Sequence, residues 1–285
     1  MSTPNLDWSQ SAHSYQTALA LAKASRAAYC HDDYLPDQWA TEYNFKMEGR
    51  PFDKAGMYGF AATKEDTIVF AFRGTDRGGD WLVNVDMGHK DVRGIPGKVH
   101  QGFWDDGLNP LLDELFAALQ NRDYRRIWIT GHSLGGAIAV LFQASLIFQK
   151  GRMVTGVYTF GQPRVGDAIF RDRLDEHSAG QYHRYVNHND VVPLVPPHLN
   201  RYRHAGSPVR FDRNGDPQFQ DGITSRIRGV FDHLEERLDS LAQRQDRESL
   251  NDMLERIRQK PTEGVREHAI TEYIEAIEKV IGRAR

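Results

Sequence analysis

Gly-His-Ser-Leu-Gly-Gly, at residues 131–136, is the stretch that decides how this chain folds. It fits the pattern Gly-x-Ser-x-Gly and follows a short apolar segment, Ile127 to Ile129, which predicts a buried strand. The apolar segment after it, Ala137 to Phe148, predicts a helix that is buried on nearly all sides. The glycines give the strand and the helix room to approach each other across a sharp turn.

Such a turn lifts the serine hydroxyl to the top of the sheet, where it can act as a nucleophile. The turn also places the backbone amide of Leu134 at the start of the helix, where it can bind an oxyanion. Gly-x-Ser-x-Gly also occurs by chance in glycine-rich loops, but here the strand and the helix supply the context that the chemistry needs. We therefore expect Ser133 to be a catalytic nucleophile.

Strands and helices alternate on both sides of this turn, which predicts an α/β fold with a mostly parallel central sheet flanked by helices. Further strands are predicted at Met57–Ala62, Thr67–Phe72, Val154–Phe160 and Tyr185–Asn187, and further helices at Ser11–Tyr29, Asn109–Gln120 and Asp167–His177. No linker rich in Pro, Gly or Ser divides the chain. We therefore predict one domain over residues 1–285.

Residues 224–259 have a different pattern, since their apolar positions recur at spacings of four and three. These positions are Ile227, Phe231, Leu234, Leu238 and Leu241, followed by a second stripe from Leu250 to Ile257. We predict a late helical insert of two amphipathic helices. The insert either pads the sheet or acts as a cap or a dimer contact, and the sequence leaves the oligomeric state open.

The composition excludes several classes of function. The chain has 285 residues, with 36 basic and 39 acidic side chains and a net charge of −3, so nothing indicates nucleic-acid binding. A single cysteine, Cys30, excludes a disulfide framework, and the histidines are too scattered to indicate a metal site. No apolar stretch is long enough to predict a transmembrane segment. Residues 1–10 lack the pattern of a secretory signal, so we expect a cytoplasmic protein, with export without a cleaved signal as the alternative.

A nucleophilic serine needs a base, and the base needs an acid that orients it. Asp190 lies 57 residues after Ser133 and directly follows a predicted strand, so we expect it at the carboxyl end of the sheet. The alternative for Asp190 is a loop aspartate that caps a turn. Three rival carboxylates, at positions expected to be solvated on a helix, are Asp167, Asp172 and Asp175.

The base is less clear from the residues alone. Five histidines follow the serine, at His188, His198, His204, His233 and His268. His268 lies near the C-terminus at the start of the last predicted helix, where the third member of such a triad is expected. His204 is the main rival. His132 adjoins the serine, but we expect its side chain to point away from the serine hydroxyl.

An ordered series of segments resembles the class 3 lipases, the fungal triacylglycerol lipase type of α/β-hydrolase. The segments are Val69–Thr75, Asp80–Val85, Val99–Phe103, Gly131–Gly136, Phe160–Asp167, Asn189–Pro193 and Glu267–Tyr273. Asp167 stands where the family more usually has Asn, and Glu267 stands where it has Asp. The interval of 78 residues between Asp190 and His268 is longer than the family pattern, because it holds the helical insert.

The resemblance implies an α/β-hydrolase fold and a triad of Ser133, Asp190 and His268, and it favours His268 over His204. It also implies an oxyanion hole formed by Thr75 and Leu134. The implied reaction is hydrolysis of lipid esters through an acyl-enzyme, which requires neither a metal nor an organic cofactor.

The segment from Asp76 to Met87 resembles the family's lid, and its Trp81, Leu82 and Val85 would make transient contact with a lipid interface or simply pack on the domain. We expect three residues after the acid to line an acyl pocket, namely Val191, Val192 and Leu194. The expected substrate is a lipid or ester, and the predicted function is that of a triacylglycerol lipase or esterase. A phospholipase A1 and a lipid- or partner-binding pseudohydrolase are the alternatives.

Overall fold

The computed structural model describes residues 6–30, 34–74, 88–178, 180–188, 190–196, 201–218 and 268–283. Its α-helices are α1 (Tyr15–Ala27), α2 (Tyr34–Tyr43), α3 (Leu112–Gln120), α4 (Leu134–Ala144), α5 (Ala168–Ser178) and α6 (Ile270–Arg283). Its strands are β1 (Lys46–Met47), β2 (Phe52–Lys54), β3 (Met57–Lys64), β4 (Thr67–Phe72), β5 (His89–Asp91), β6 (Lys98–His100), β7 (Arg126–His132), β8 (Gly156–Phe160), β9 (Tyr182–Val186), β10 (Ser207–Phe211) and β11 (Pro217–Gln218).

Nine of these strands form one sheet in the order β1-β3-β4-β7-β8-β9-β10-β11, with β2 paired to β3. Five central strands are parallel to one another, namely β4, β7, β8, β9 and β10. The strands at both ends of the sheet, β1, β2, β3 and β11, are antiparallel to their neighbours. The two remaining described strands, β5 and β6, pair with each other. The predicted α/β architecture with a mostly parallel sheet is confirmed.

The strand register brings the carboxyl ends of the central strands to one edge of the sheet. Phe72 pairs with Gly131, His132 pairs with Phe160, and Phe160 pairs with Tyr185. The residues that follow β4, β7, β8 and β9 therefore meet at this edge, although they are far apart along the chain.

Helices cover both faces of the sheet, and each face has its own apolar core. On one face α1, α2 and α6 supply buried residues such as Leu21, Trp39 and Ile277. On the other face α3, α4 and α5 supply residues such as Leu115 and Leu174. Every residue of α4 from Gly135 to Ala144 is buried, as its sequence, apolar except at Gln143, predicts.

The structure also differs from the expectations at several elements. The helix expected at Asn109–Gln120 is a regular α-helix only from Leu112, because Pro110 lacks a backbone N–H and lies in a preceding 3₁₀ turn. The stretch between Tyr29 and Ala55, for which no element was predicted, contains α2, β1 and β2. The predicted insert at residues 224–259 lies outside the described residues.

Candidate active site

Ser133 lies on a strained turn between β7 and α4. Its backbone angles are φ 57° and ψ −128°, a conformation that a side-chain-bearing residue adopts only when the surroundings enforce it. A Cβ atom on Gly131 would lie 2.2 Å from the Gly135 carbonyl oxygen, and one on Gly135 would lie 2.3 Å from the Phe72 carbonyl oxygen. Both positions therefore require glycine, which explains the Gly-x-Ser-x-Gly pattern sterically.

Backbone hydrogen bonds hold this turn in place. The Ser133 amide donates to the Phe160 carbonyl oxygen at 2.9 Å, and the Ser133 carbonyl accepts from the Gly136 amide at 2.9 Å. Leu134 is the first residue of α4, so its amide has no carbonyl within the helix to which it can donate. The partial positive charge at this helix end favours an anion beside the Leu134 amide.

Asp190 and His268 form a hydrogen-bonded pair at the same edge of the sheet. His268 Nδ1 lies 3.0 Å from Asp190 Oδ1 and 2.9 Å from Oδ2. The Asp190 carboxylate is buried, and the His268 side chain is 16% exposed. The amide of Val192 donates to Oδ1 at 2.9 Å, which fixes the carboxylate further. Since a carboxylate accepts, Nδ1 carries the proton, and His268 Nε2 is the nitrogen that can act as a base.

Tyr273 supports the same carboxylate from α6. Its hydroxyl donates to Asp190 Oδ2 at 2.5 Å and accepts from the Asn187 amide at 3.0 Å. Burial and the neighbouring Asp190 charge raise the pKa of Tyr273 well above its ordinary value. The phenol therefore remains protonated and acts as a permanent donor to the acid.

Gly161 follows β8 and leaves room for this pair. Its φ is +58°, and a Cβ atom there would lie 2.6 Å from Asp190 Oδ2 and 2.7 Å from His268 Nδ1. Any side chain at this position would push the acid and the histidine apart. The pair therefore depends on a glycine from a strand that contributes neither of its members.

The rival residues have other partners. His204 Nε2 bonds the Pro193 carbonyl oxygen at 2.7 Å rather than a carboxylate. Asp167 accepts from the Phe170 amide at the start of α5, and Asp175 accepts from the Gly206 amide. Asp172 forms an ion pair with the neighbouring Arg171. It is His268, and not His204, that the structure brings to Asp190.

The expected pocket residues follow Asp190 in a short 3₁₀ turn. Val192 is buried, Val191 is half-buried, and Leu194 is 46% exposed. The expected oxyanion residue Thr75 and the expected lid residues, along with two of the candidate histidines, lie outside the described residues. These lid residues and histidines are Trp81, Leu82, Val85, His198 and His233.

Residues 69–200 match the model of the family described as lipase (class 3). The matched range contains both the strained turn at Ser133 and the buried carboxylate of Asp190. Residues 69–200 belong to the class 3 lipase family. All of the segments that resemble this family, except Glu267–Tyr273, lie within this matched range.

Two curated relatives of this chain are fungal proteins. A secreted mono- and diacylglycerol lipase of Fusarium solani is 31% identical over 181 residues, covering 61% of this chain and 53% of that protein. A lipase of Rhizomucor miehei is 36% identical over 152 residues, covering 50% of this chain and 41% of that protein. The chain thus spans about half the length of these relatives or less.

A solved structure supports the same fold. A triacylglycerol lipase whose catalytic centre is described as a serine protease triad superposes with a TM-score of 0.62 at 26% identity. The similarity covers 72% of this chain and 86% of that lipase. The α/β-hydrolase fold that the class 3 lipase resemblance implies is confirmed.

The expectation of a cytoplasmic protein is wrong, because a relative that is similar over 61% of this chain is named as a secreted enzyme. That expectation rested on the sequence of residues 1–10 and on a single cysteine. Neither observation distinguishes a cytoplasmic protein from an exported one. Among the described helices, none is both long and apolar enough to cross a membrane.

Two residues that support the candidate site, Arg164 and Tyr273, were not singled out from the sequence. Arg164 is buried and donates to the carbonyl oxygens of Leu194 and Pro196, so it holds the loop after Asp190. Tyr273 lies at the end of a segment that resembles the family, which was a signal that it acts with His268. Arg164 also lies in such a segment, but the pattern of letters does not show which carbonyls it meets.

Proposed function

We propose that this chain is a carboxylic ester hydrolase that acts on lipids, with Ser133 as nucleophile, His268 as base and Asp190 as the orienting acid. The observation that carries the proposal is the Asp190–His268 pair, in which two contacts of 3.0 and 2.9 Å fix the ring nitrogen that faces the acid. The pair belongs to the same sheet edge as the strained serine turn.

The first half of the proposed reaction acylates the serine. His268 Nε2 accepts the hydroxyl proton of Ser133 while the serine oxygen attacks the ester carbonyl carbon. The tetrahedral intermediate collapses, the bond to the alcohol oxygen breaks, and the alcohol leaves with the proton from His268. In the second half, water gives a proton to His268 and attacks the acyl carbon. The bond from that carbon to the Ser133 oxygen then breaks, and His268 returns its proton to the serine oxygen. The products are a carboxylic acid and the free serine.

Asp190 stabilises the positive charge that His268 gains during each step. Its carboxylate is buried, so its attraction for the imidazolium is screened less than it would be in water. The donors from Tyr273 and Val192 keep the carboxylate in place while the histidine changes its charge.

We propose that the backbone amides of Leu134 and Thr75 bind the oxyanion of the intermediate. Leu134 suits this role because it is the first amide of α4. A donor of this kind contributes about 3 kcal/mol to the stability of the transition state in comparable enzymes.

The names of the relatives guide the proposal for the substrate. The Fusarium solani protein is named for its action on mono- and diacylglycerols, so we propose acylglycerols as the substrate class and an extracellular site of action. The half-buried Val191 and the exposed Leu194 would contact the acyl chain. Lid residues Trp81, Leu82 and Val85 would contact the lipid surface, and the helical insert at 224–259 would belong to the same domain.

The test is hydrolysis of p-nitrophenyl esters from acetate to palmitate, together with a diacylglycerol and a phosphatidylcholine. Ser133→Ala should abolish hydrolysis of every ester. Ser145→Ala is the matched control, because Ser145 is a buried serine whose hydroxyl donates to the Leu141 carbonyl, within its own helical segment. Hydrolysis that survives in Ser133→Ala would refute the proposed nucleophile. Activity confined to phosphatidylcholine would replace the acylglycerol lipase with a phospholipase.

A further inference from the structure

His132 lies beside the nucleophile in the sequence, yet its ring contacts the base. His132 Nε2 is 2.6 Å from the backbone carbonyl oxygen of His268, and the two imidazole rings are 4.6 Å apart at an angle of 31°. On the other side of the ring, Nδ1 is 2.6 Å from the hydroxyl of Tyr29, just beyond the end of α1. The His132 ring therefore bridges the N-terminal part of the chain and the residue that carries the base.

The partners determine where the protons of this bridge lie. A carbonyl oxygen can only accept, so His132 Nε2 carries a proton and donates it to His268. A neutral imidazole has one N–H, so Nδ1 accepts from the Tyr29 hydroxyl. The bonds thus run in one direction, from Tyr29 through His132 to His268.

The charge state of His132 suits this arrangement. The ring is buried, and both burial and the neighbouring His268 lower the pKa of His132 well below its ordinary value. The ionisable groups that face it are Tyr29, His268 and Tyr273, with the Asp190 carboxylate behind the last two. A cation at His132 would oppose the positive charge that His268 gains in the reaction, whereas a neutral donor holds the backbone without that opposition.

We propose that His132 is a positioning residue which fixes the backbone of the base through the chain Tyr29–His132–His268. The inference rests on the proposed function, because it assigns a role toward His268 as base. Asp190 holds the His268 ring at Nδ1, and His132 holds the same residue at its carbonyl oxygen. Two anchors on different atoms determine both the place of the residue and the direction of its ring.

At the other end of this hydrogen-bonded series, Tyr29 lies beside the segment that follows β4. A Cβ atom on Gly74 would lie 2.5 Å from the Tyr29 hydroxyl and 2.9 Å from the Ser133 Cβ atom. The Tyr29 hydroxyl is therefore packed between the segment after β4 and the serine turn. The bridge connects the base to the two strand ends that would carry the nucleophile and the oxyanion donors.

Variants at the two bridging residues test the role kinetically. His132→Leu removes the donor to His268 and should lower kcat about 10- to 100-fold, since small displacements of a catalytic group have effects of this size. KM should change less than about threefold, because the bridge does not depend on binding of the substrate. His132→Gln keeps an N–H near the position of Nε2 and should restore part of kcat. Tyr29→Phe should lower kcat by a smaller factor than His132→Leu does.

His183→Leu is the matched control for these variants. His183 is also a buried histidine on the sheet, but its ring packs on His13 and Tyr158, away from the serine turn. This variant should retain the wild-type kcat. A loss of kcat in His183→Leu equal to that in His132→Leu would show a general effect of removing buried histidines and would overturn the inference.

¹⁵N NMR of the wild-type histidine rings tests the proton positions without any variant, so the inference stays testable if His132→Leu does not fold. We expect His132 to show the neutral tautomer protonated at Nε2 from pH 5 to pH 8. A proton at Nδ1, or titration within that range, would overturn the inference. Unchanged kcat in His132→Leu and Tyr29→Phe would also overturn it, with the proposed function intact. A wild-type protein that hydrolyses no ester would instead overturn the proposed function, and this role with it.

Discussion

Two clusters of mostly buried side chains, each rich in histidine and tyrosine, differ in how their polar atoms are bonded. The edge cluster, His132, Asp190, His268 and Tyr273, is joined by hydrogen bonds of 2.5 to 3.0 Å that converge on one carboxylate and one carbonyl. The face cluster consists of His13, Tyr158, His183 and Tyr185, and most of its contacts are between ring faces and edges.

In the face cluster, His13 Nε2 lies 2.7 Å from the Tyr185 hydroxyl. His183 Nε2 is buried, and among the described residues it has no hydrogen-bond partner. Burial lowers the pKa of His183 to about 4. The comparison teaches that burial of a histidine does not by itself indicate catalysis. The edge cluster differs because its bonds orient the one ring nitrogen that can take a proton.

Substitution of Asp190, the acid of the edge cluster, should have a greater effect on kcat than the other variants below. In Asp190→Asn the amide no longer stabilises a charged His268, and its NH₂ group can favour the wrong tautomer of the ring. We expect kcat to fall on the order of 10⁴-fold, as in comparable triads. Steady-state kinetics on a p-nitrophenyl ester measure this fall. A kcat within about tenfold of the wild-type value would remove Asp190 from the proposed triad.

A second variant breaks the edge cluster through a residue that forms none of its bonds. Gly161→Ala places a Cβ atom 2.6 Å from Asp190 Oδ2 and 2.7 Å from His268 Nδ1. We expect kcat to fall roughly 10³-fold, because displacement of a catalytic group by about 1 Å already lowers rates on the order of 10²-fold and both partners must move here.

Gly151→Ala is the control for Gly161→Ala. Gly151 has a similar φ of +61°, and nothing lies within 4 Å of the position that its Cβ atom would take. This variant shares the backbone strain without the steric contact, so it should lose stability but retain kcat. Equal losses of kcat in the two variants would assign the effect to strain rather than to the Asp190–His268 pair.

The face cluster should make the folded protein less stable at low pH. His183 takes up a proton in the unfolded chain near pH 6.5 but in the folded protein only near pH 4. The unfolded state therefore binds more protons between these values, and stability falls as the pH decreases from about 6.5 to 4. The full loss from His183 is roughly 3 kcal/mol.

Urea unfolding between pH 7.5 and pH 4 measures this loss. His183→Leu should make the free energy of unfolding less dependent on pH across this range, while kcat at pH 7.5 remains that of the wild type. The same pH dependence in both proteins would show that His183 is not held neutral by burial.

A smaller effect is expected from removing one tyrosine hydroxyl from each cluster. Tyr273→Phe removes a single donor to Asp190 while His268 and the Val192 amide still hold the carboxylate. We expect kcat to fall about tenfold, and the free energy of unfolding to fall by about 1.5 to 3 kcal/mol, the usual range for one hydrogen bond to a charged group. Tyr185→Phe in the face cluster should leave kcat unchanged. A larger kcat effect from Tyr185→Phe would erase the distinction between the two clusters.

The local pattern was sufficient to predict much of the fold and some of the site. The Gly-x-Ser-x-Gly turn is encoded within six residues, so the candidate nucleophile Ser133 and the strand and helix on either side of it could be predicted. Asp190 was readable because it directly follows a strand, but the residues alone left His268 and His204 open. Only the fold shows that His204 bonds a backbone carbonyl.

Contacts between distant segments could not be read from the sequence. His132 was expected to point away from the serine hydroxyl, and nothing near it in the chain indicates a bond to a carbonyl 136 residues later. The short strands β1, β2 and β11 were missed because two or three residues are too few to show a period. The partners of Gly161 come from loops far along the chain, so its role became visible only from the register of β8.

Labelling with a fluorophosphonate tests the central claim most directly, because the probe reacts with a serine only when a base activates it. Mass spectrometry of the digested protein should find one adduct, on Ser133. The rate of labelling should fall sharply in Asp190→Asn and in Gly161→Ala but not in Gly151→Ala. A folded wild-type protein without an adduct at Ser133, or one labelled at the same rate in Asp190→Asn, would contradict the proposed Ser133–His268–Asp190 triad.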